Sequence, residues 1–226
     1  MEYDGEFYKQ PRVRLRPEPF ASFKGRTFAS AISPQSMDIM AKLGVGLMVI
    51  AQKPWETVER ELLEYRVRYR ELNGCEPVKP LLGVFVGVSH ELSEAKRMRE
   101  IYLQRYARST VEHYQFSNQQ FETIEGYEYY GSLARNIAKH GLDKFNGFLA
   151  DLQVWGNPRE VTDKLLDYVR RSDAGGLLVT PAFGGMPHEV ANANFELFAR
   201  EVLPALKAHD VGGELGIAHA AHAPAA

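Results

Sequence analysis

The residues best placed to do chemistry are a pair of hydroxyls. Ser33-Pro34-Gln35-Ser36 closes an apolar run and opens a helical pattern. Ser33 is a natural helix cap and Pro34 suits the first helical position, so free backbone amides and the positive end of a helix are expected here. Such an end receives an anion well, a cofactor phosphate for instance, and the two hydroxyls add donors. A plain capping motif accounts for the same four residues. Other signatures fail. His188-Glu189 begins like the helix of a zinc protease, but Asn192 stands where a second histidine is needed. There is no G-x-S-x-G elbow, Walker loop or G-x-G-x-x-G. Cys75 is the only cysteine, has no histidine at a recognisable family spacing, and fits an ordinary thiol near a helix end. His219 and His222 could ligate a metal, although isolated histidines in a tail seldom do.

The elements that must position the hydroxyls follow from hydrophobic pattern. Four short runs, Thr27–Ser33, Val45–Ile50, Leu82–Val88 and Gly176–Pro181, are rich in Val, Leu and Ile without alternating charge, as strands buried on both faces are. A helical pattern follows each. The first, Pro34–Leu43, is closed by Gly44. In the second, Trp55, Val58, Leu62, Tyr65, Tyr69 and Leu72 make one apolar stripe with Glu and Arg on the other faces, ending at Asn73-Gly74. The third places Ala95, Met98 and Tyr102 on one face. Asn157-Pro158-Arg159-Glu160 has the layout of a capping box. After the last run, Ala191, Phe195, Phe198, Val202 and Ala205 form a stripe that Pro204 should kink or end.

Strand–helix repetition of this kind predicts parallel strands with helical crossovers, an α/β fold of about four β/α units. The interval from Ser89 to Asn157 exceeds what one crossover needs, and residues 106–150 are expected to be a helical insertion. Residues 1–26, with Pro11, Pro17 and Pro19, read as an extended connection, and residues 209–226 as a disordered tail.

Composition bounds the rest. The 226 residues are 45% hydrophobic and 25% charged, enough for a sizeable core. A formal net charge of −2 gives no electrostatic reason to expect nucleic acid or an acidic membrane. No apolar run is long enough to cross a bilayer, and the acidic, polar start at Met1–Gly5 does not resemble a signal peptide; a cytoplasmic protein is the expectation.

Thr27–Gly44 (TFASAISPQSMDIMAKLG), Val45–Trp55 (VGLMVIAQKPW), Gly156–Val161 (GNPREV) and Gly175–Leu206 (GGLLVTPAFGGMPHEVANANFELFAREVLPAL) resemble successive segments of the bacterial-luciferase-like flavin monooxygenases. Tyr3–Phe20 resembles the stretch that precedes the fifth barrel strand there, so the likeness covers roughly residues 3–208. It implies the C-terminal half of a (β/α)8 TIM barrel that binds reduced flavin at its carboxyl-end mouth. It also implies a metal-free oxidoreductase using reduced FMN and dioxygen on a small organic substrate, with a flavin reductase as a source of reduced flavin. Some relatives use the deazaflavin F420 for hydride transfer instead.

Carried over by position, the hydroxyls of Ser33 and Ser36 and the amide of Ile32 would contact the flavin phosphate, and Gln52 would lie near the isoalloxazine ring. The loop Pro181–His188 follows the last strand, where barrel enzymes place functional residues, making Phe183, Met186 and His188 candidates to line the mouth. For His188 an exposed helix-start histidine is the alternative. About half of the family's β/α units are absent, and no acid, base or nucleophile is assigned. Open strand edges then call for a separately encoded first half, self-association that closes a barrel, or a poorly folded fragment. A truncated half-barrel that binds flavin or is purely structural, without turnover, is the alternative function.

Overall fold

The computed structural model describes residues 2–14, 16–23 and 25–209. The expected tail, with His219 and His222, lies outside the described residues except for His209. A small antiparallel hairpin pairs β1 (Tyr3–Asp4) with β2 (Lys9–Gln10), and among the described residues no helix forms before β3 (Phe28–Ser30). There follow α1 (Pro34–Leu43), β4 (Gly46–Ile50), α2 (Trp55–Asn73) and β5 (Leu81–Val88). Both early helices stop where glycine permits a left-handed backbone: Gly44 has φ 66° and Gly74 has φ 68°.

The long interval after β5 is mostly helical: α3 (Leu92–Met98), a wide π turn (Arg99–Leu103), α4 (Gln104–His113), a 3-10 turn (Gln119–Thr123), α5 (Glu128–His140) and α6 (Leu142–Leu152). Ala95, Met98 and Tyr102 are buried together as their spacing predicts. Then come β6 (Val154–Gly156), α7 (Pro158–Ser172) and β7 (Gly176–Thr180), followed by α8 (His188–Leu197), a second π turn (Phe198–Val202) and α9 (Leu203–Ala208). The capping box that opens α7 is complete: Asn157 Oδ1 accepts from the Glu160 amide at 3.0 Å, and Glu160 Oε2 accepts from the Asn157 amide at 2.9 Å.

Each of the four apolar runs contains a strand, and those strands are parallel. β5 pairs with β4 through Leu81–Gly83 and with β7 through Leu81–Phe85, so these two lie on its opposite edges. Beyond that, Val86–Val88 pair with β6, a three-residue strand too short to leave a run in the sequence pattern.

Alternation along the strands divides the sheet into two faces. Leu47, Val49, Leu82, Val84, Val86 and Val88 are buried in one cluster with Val58 and Leu62 of α2 and Val161 and Leu165 of α7. The opposite face carries Met48, Ile50, Leu81, Phe85 and Leu178, brought side by side by the pairings Met48↔Leu81 and Gly83↔Leu178. This second face is only part covered, and Leu178 is 46% exposed. It is closed at the carboxyl end alone, where Phe85 meets Tyr106 and Phe183. Helices outside, strands within and a half-open inner face describe part of a (β/α)8 barrel.

Two buried side-chain amides bridge the sheet where strand pairing gives out. Gln153 receives the Phe85 amide at 3.2 Å and donates to the Ala51 carbonyl at 2.7 Å, linking β5 to the end of β4. Asn194 receives the Val88 amide at 2.7 Å and donates to the carbonyls of Val86 and Pro181 at 2.7 and 2.6 Å, linking β5 to the end of β7. Asn194 also explains why the last apolar stripe holds at Phe198 and Val202 but not at Phe195. Its amide takes the sheet-facing position of α8, so Leu197, Phe198 and Val202 are buried while Phe195 is 56% exposed. The π turn adds a residue and rotates the face, and Pro204 then fits the first turn of α9, where no backbone donor is required. In α2 the stripe holds from Trp55 to Tyr65, but Glu61 is buried with it and Leu72 is 43% exposed.

Candidate functional site

The end of β3 and the start of α1 hold the first candidate residues. Ser33 has extended backbone (φ −83°, ψ 151°), and its Oγ accepts from the Ser36 amide at 3.2 Å, as a helix cap does. The same Oγ lies 2.9 Å from Ser36 Oγ, so the two hydroxyls form a contiguous polar pair. They open onto a cavity of about 630 Å³ walled by Tyr114, Phe121, Tyr127 and Tyr130, with His113 at one side. Among the described residues no carboxylate lines that cavity, and the nearby Glu128 is held by Gln35 Nε2 at 3.1 Å and by the Gly126 amide at 3.0 Å. Hydroxyl donors, a helix N-terminus and aromatic walls fit a phosphate attached to a planar ring system. They equally complete a capping motif, so the arrangement permits such a ligand without requiring one.

Behind this loop lies an ion pair that sequence reasoning missed. Lys53 follows β4, and its ammonium contacts both oxygens of Glu61 at 2.7 and 2.8 Å and the carbonyl of Ile32. The ring of Tyr129 on α5 sits 4.3 Å from the same nitrogen. Lys53 and Glu61 are 6% and 7% exposed at the side chain, so charge is held in a dry place by close pairing. Burial lowers the Lys53 pKa and Glu61 opposes that shift. The phenol of Tyr129 is pushed well above its usual value by burial and by the carboxylate of Glu61. Lys53 therefore fixes Ile32, and with it the approach to Ser33, against both α2 and α5. The sequence carried no distinct signal for it, since Glu61 lies beside the α2 stripe, next to Leu62, among several other glutamates of that helix.

Gln52 lies on the other side of this ion pair. It lines a separate cavity of about 500 Å³ formed with α5 and α6. Ile32, Ser33 and Ser36 are thus gathered at one place and Gln52 at the next, with Lys53 and Tyr129 between them. Phe183 is 7% exposed and packs with Met98, Tyr102, Leu103 and Ala150, with Met186 against the same cluster. Phe183 and Met186 line neither of these two cavities, and His188 is exposed at the start of α8. Cys75 is an exposed free thiol just past the end of α2. Among the described residues no group of three or more His, Cys, Asp or Glu could hold a metal ion, and no helix is long and apolar enough to cross a membrane.

Parallel strands with outer helices and a half-open inner face define the C-terminal part of a (β/α)8 barrel. The family model described as luciferase-like monooxygenase matches residues 1–174, and the chain belongs to that family. No curated protein matches the sequence. Among solved structures, the chain is similar to the EDTA monooxygenase of Chelativorans sp. BNC1, at 16% identity and TM-score 0.59, covering 92% of this chain and 50% of that one. An F420-dependent secondary alcohol dehydrogenase in complex with an F420-acetone adduct gives 12% identity and TM-score 0.57, covering 93% and 56%. The oxygenating constituent of 3,6-diketocamphane monooxygenase from Pseudomonas putida, in complex with FMN, gives 18% and TM-score 0.53, covering 91% and 58%. At these identities the likeness concerns the fold. The chain spans about half the length of the structures it matches.

Proposed function

We propose that this chain supplies the phosphate-holding part of a flavin site in a luciferase-like oxidoreductase, using reduced FMN and dioxygen on a small organic substrate. The observation that carries this reading is the Ser33–Ser36 hydroxyl pair at the N-terminus of α1, open to an aromatic-walled cavity of about 630 Å³. Ser33, Ser36 and the amide of Ile32 would hold the phosphate, and the flavin when bound would supply the redox chemistry. Lys53 keeps the Ile32–Ser33 loop in place through its bond to the Ile32 carbonyl. The neighbouring aromatic side chains would give the planar ring a surface to lie against. Gln52, one cavity further on, would meet the substrate side of the ring. Phe183 and Met186 act by anchoring the last loop against Phe85 and Tyr102, leaving His188 as the residue of that loop free to meet a ligand. Reduced flavin would come from a separate reductase.

The deazaflavin F420 is the alternative cofactor, and fluorescence titration of the 226-residue chain with both cofactors tests the reading. FMN is expected to bind more tightly than F420. Failure of a folded chain to bind either cofactor would remove the reading, and tighter binding of F420 would move it to hydride transfer. A flavin-binding half-barrel without turnover is favoured by one observation, the half-open inner sheet face at Leu178. Completion of that face by further β/α units or by a second copy would be needed for turnover, and flavin-dependent oxygen uptake separates the two outcomes.

A further inference from the structure

The cavity of about 500 Å³ beside Gln52 has walls and a rim of different character. Pro54, Leu133, Phe145, Phe148 and the ring of Tyr129 form its walls, and the rings of Phe145 and Phe148 lie 6.1 Å apart. Its rim carries Lys144 and His140, with the amides of Gln52 and Asn136 between. Among the described residues no aspartate or glutamate lines it. Lys53 also borders this space, but its three N–H bonds are taken by the two oxygens of Glu61 and the carbonyl of Ile32. Lys53 is therefore a fixed part of the wall and cannot serve as the receiving cation. Lys144 is exposed, and among the described residues no carboxylate neutralises it. The volume lies within the ~300–1,000 Å³ of ordinary small-molecule sites, where apolar walls bind the body of a ligand and a few polar groups choose its head.

We infer that this cavity binds an organic anion: an aromatic ring or medium-length chain between Phe145, Phe148 and Leu133, with a terminal carboxylate at Lys144 and His140. A neutral apolar compound would leave the Lys144 ammonium without a counter-charge, and a small hydrophilic anion would leave the phenylalanine walls unfilled. Charge complementarity and apolar burial thus select the same amphipathic class. That this anion is the compound oxidised rests on the flavin reading above, through Gln52 at the shared border; the binding itself does not.

The test uses the 226-residue chain without flavin, with 4-phenylbutyrate as the anion and 4-phenylbutanamide as its neutral counterpart, followed by ligand-detected NMR titration. The acid is expected to bind more tightly than the amide by up to about fivefold, the most that one partly exposed ion pair gives. Lys144→Ala should remove most of that preference. Phe148→Ala should weaken both ligands several-fold, with far-ultraviolet circular dichroism confirming that each variant is folded. Equal affinities for acid and amide, a preference that Lys144→Ala leaves intact, or no binding of either would overturn the inference. Acid binding by a chain that does not bind FMN would leave this site standing and remove the cofactor reading, and the reverse result would do the opposite.

Discussion

At the scale of single residues, the loop that carries Ser33 is held by charge as much as by hydrogen bonds. Lys53 and Glu61 are each almost fully buried and satisfy one another, so removing one partner strands the other in a low-dielectric place. Glu61→Gln is expected to cost about 3–5 kcal/mol in chemical denaturation, whereas replacing both by apolar residues of similar volume should restore most of it. A cost below ~1 kcal/mol for the single change would mean that the pair does not fix the loop. The candidate hydroxyls were visible in the sequence because capping chemistry is local: a serine, a proline and a helical pattern lie within a few residues. Lys53 was not visible, since its partners Glu61, Ile32 and Tyr129 are separated along the chain and only tertiary packing brings them together.

At the scale of elements, the four main strands and the helix stops at Gly44 and Gly74 were legible because hydrophobic period and glycine position are written directly into the chain. β6 was not, being three residues long and dependent on Val86–Val88 for its definition. The last helix was legible only in part, at Phe198 and Val202, for a related reason. A π turn cannot be read from a 3.6-residue period, and Asn194 occupies a position that patterning assigns to an apolar side chain. That asparagine joins β5 to the end of β7 with three hydrogen bonds. Asn194→Ala leaves the Val88 amide and two carbonyls without these partners, and a loss of about 2–4 kcal/mol is expected in urea unfolding. Because the link lies at the carboxyl end of the sheet, amide exchange should quicken first at Val86 and Val88. Uniform exchange across the sheet with unchanged stability would show that Asn194 merely fills space.

At the scale of the whole molecule, the fold follows from a repeated strand–helix pattern, but half of a barrel is a different physical object from a whole one. The helix-facing side of the sheet is closed by α2 and α7, whereas the inner side keeps Leu178 46% exposed and Met48 and Ile50 part covered. Outer packing gives the half its own core, and the carboxyl-end cluster around Phe183 seals one end of the inner face. The two candidate cavities lie at that end, one between α1 and α5 and the other between the residues after β4 and the helices α5 and α6. That geometry underlies the central claim, a phosphate anchor that belongs to this chain. The most direct measurement compares the affinities of FMN and riboflavin, which differ only in the phosphate, for the chain and for Ser36→Ala. The account predicts that FMN binds at least about tenfold more tightly than riboflavin and that Ser36→Ala removes most of that advantage, as loss of a hydrogen bond to a charged group should. Equal affinities for the two flavins, or an FMN preference indifferent to Ser36, would contradict it.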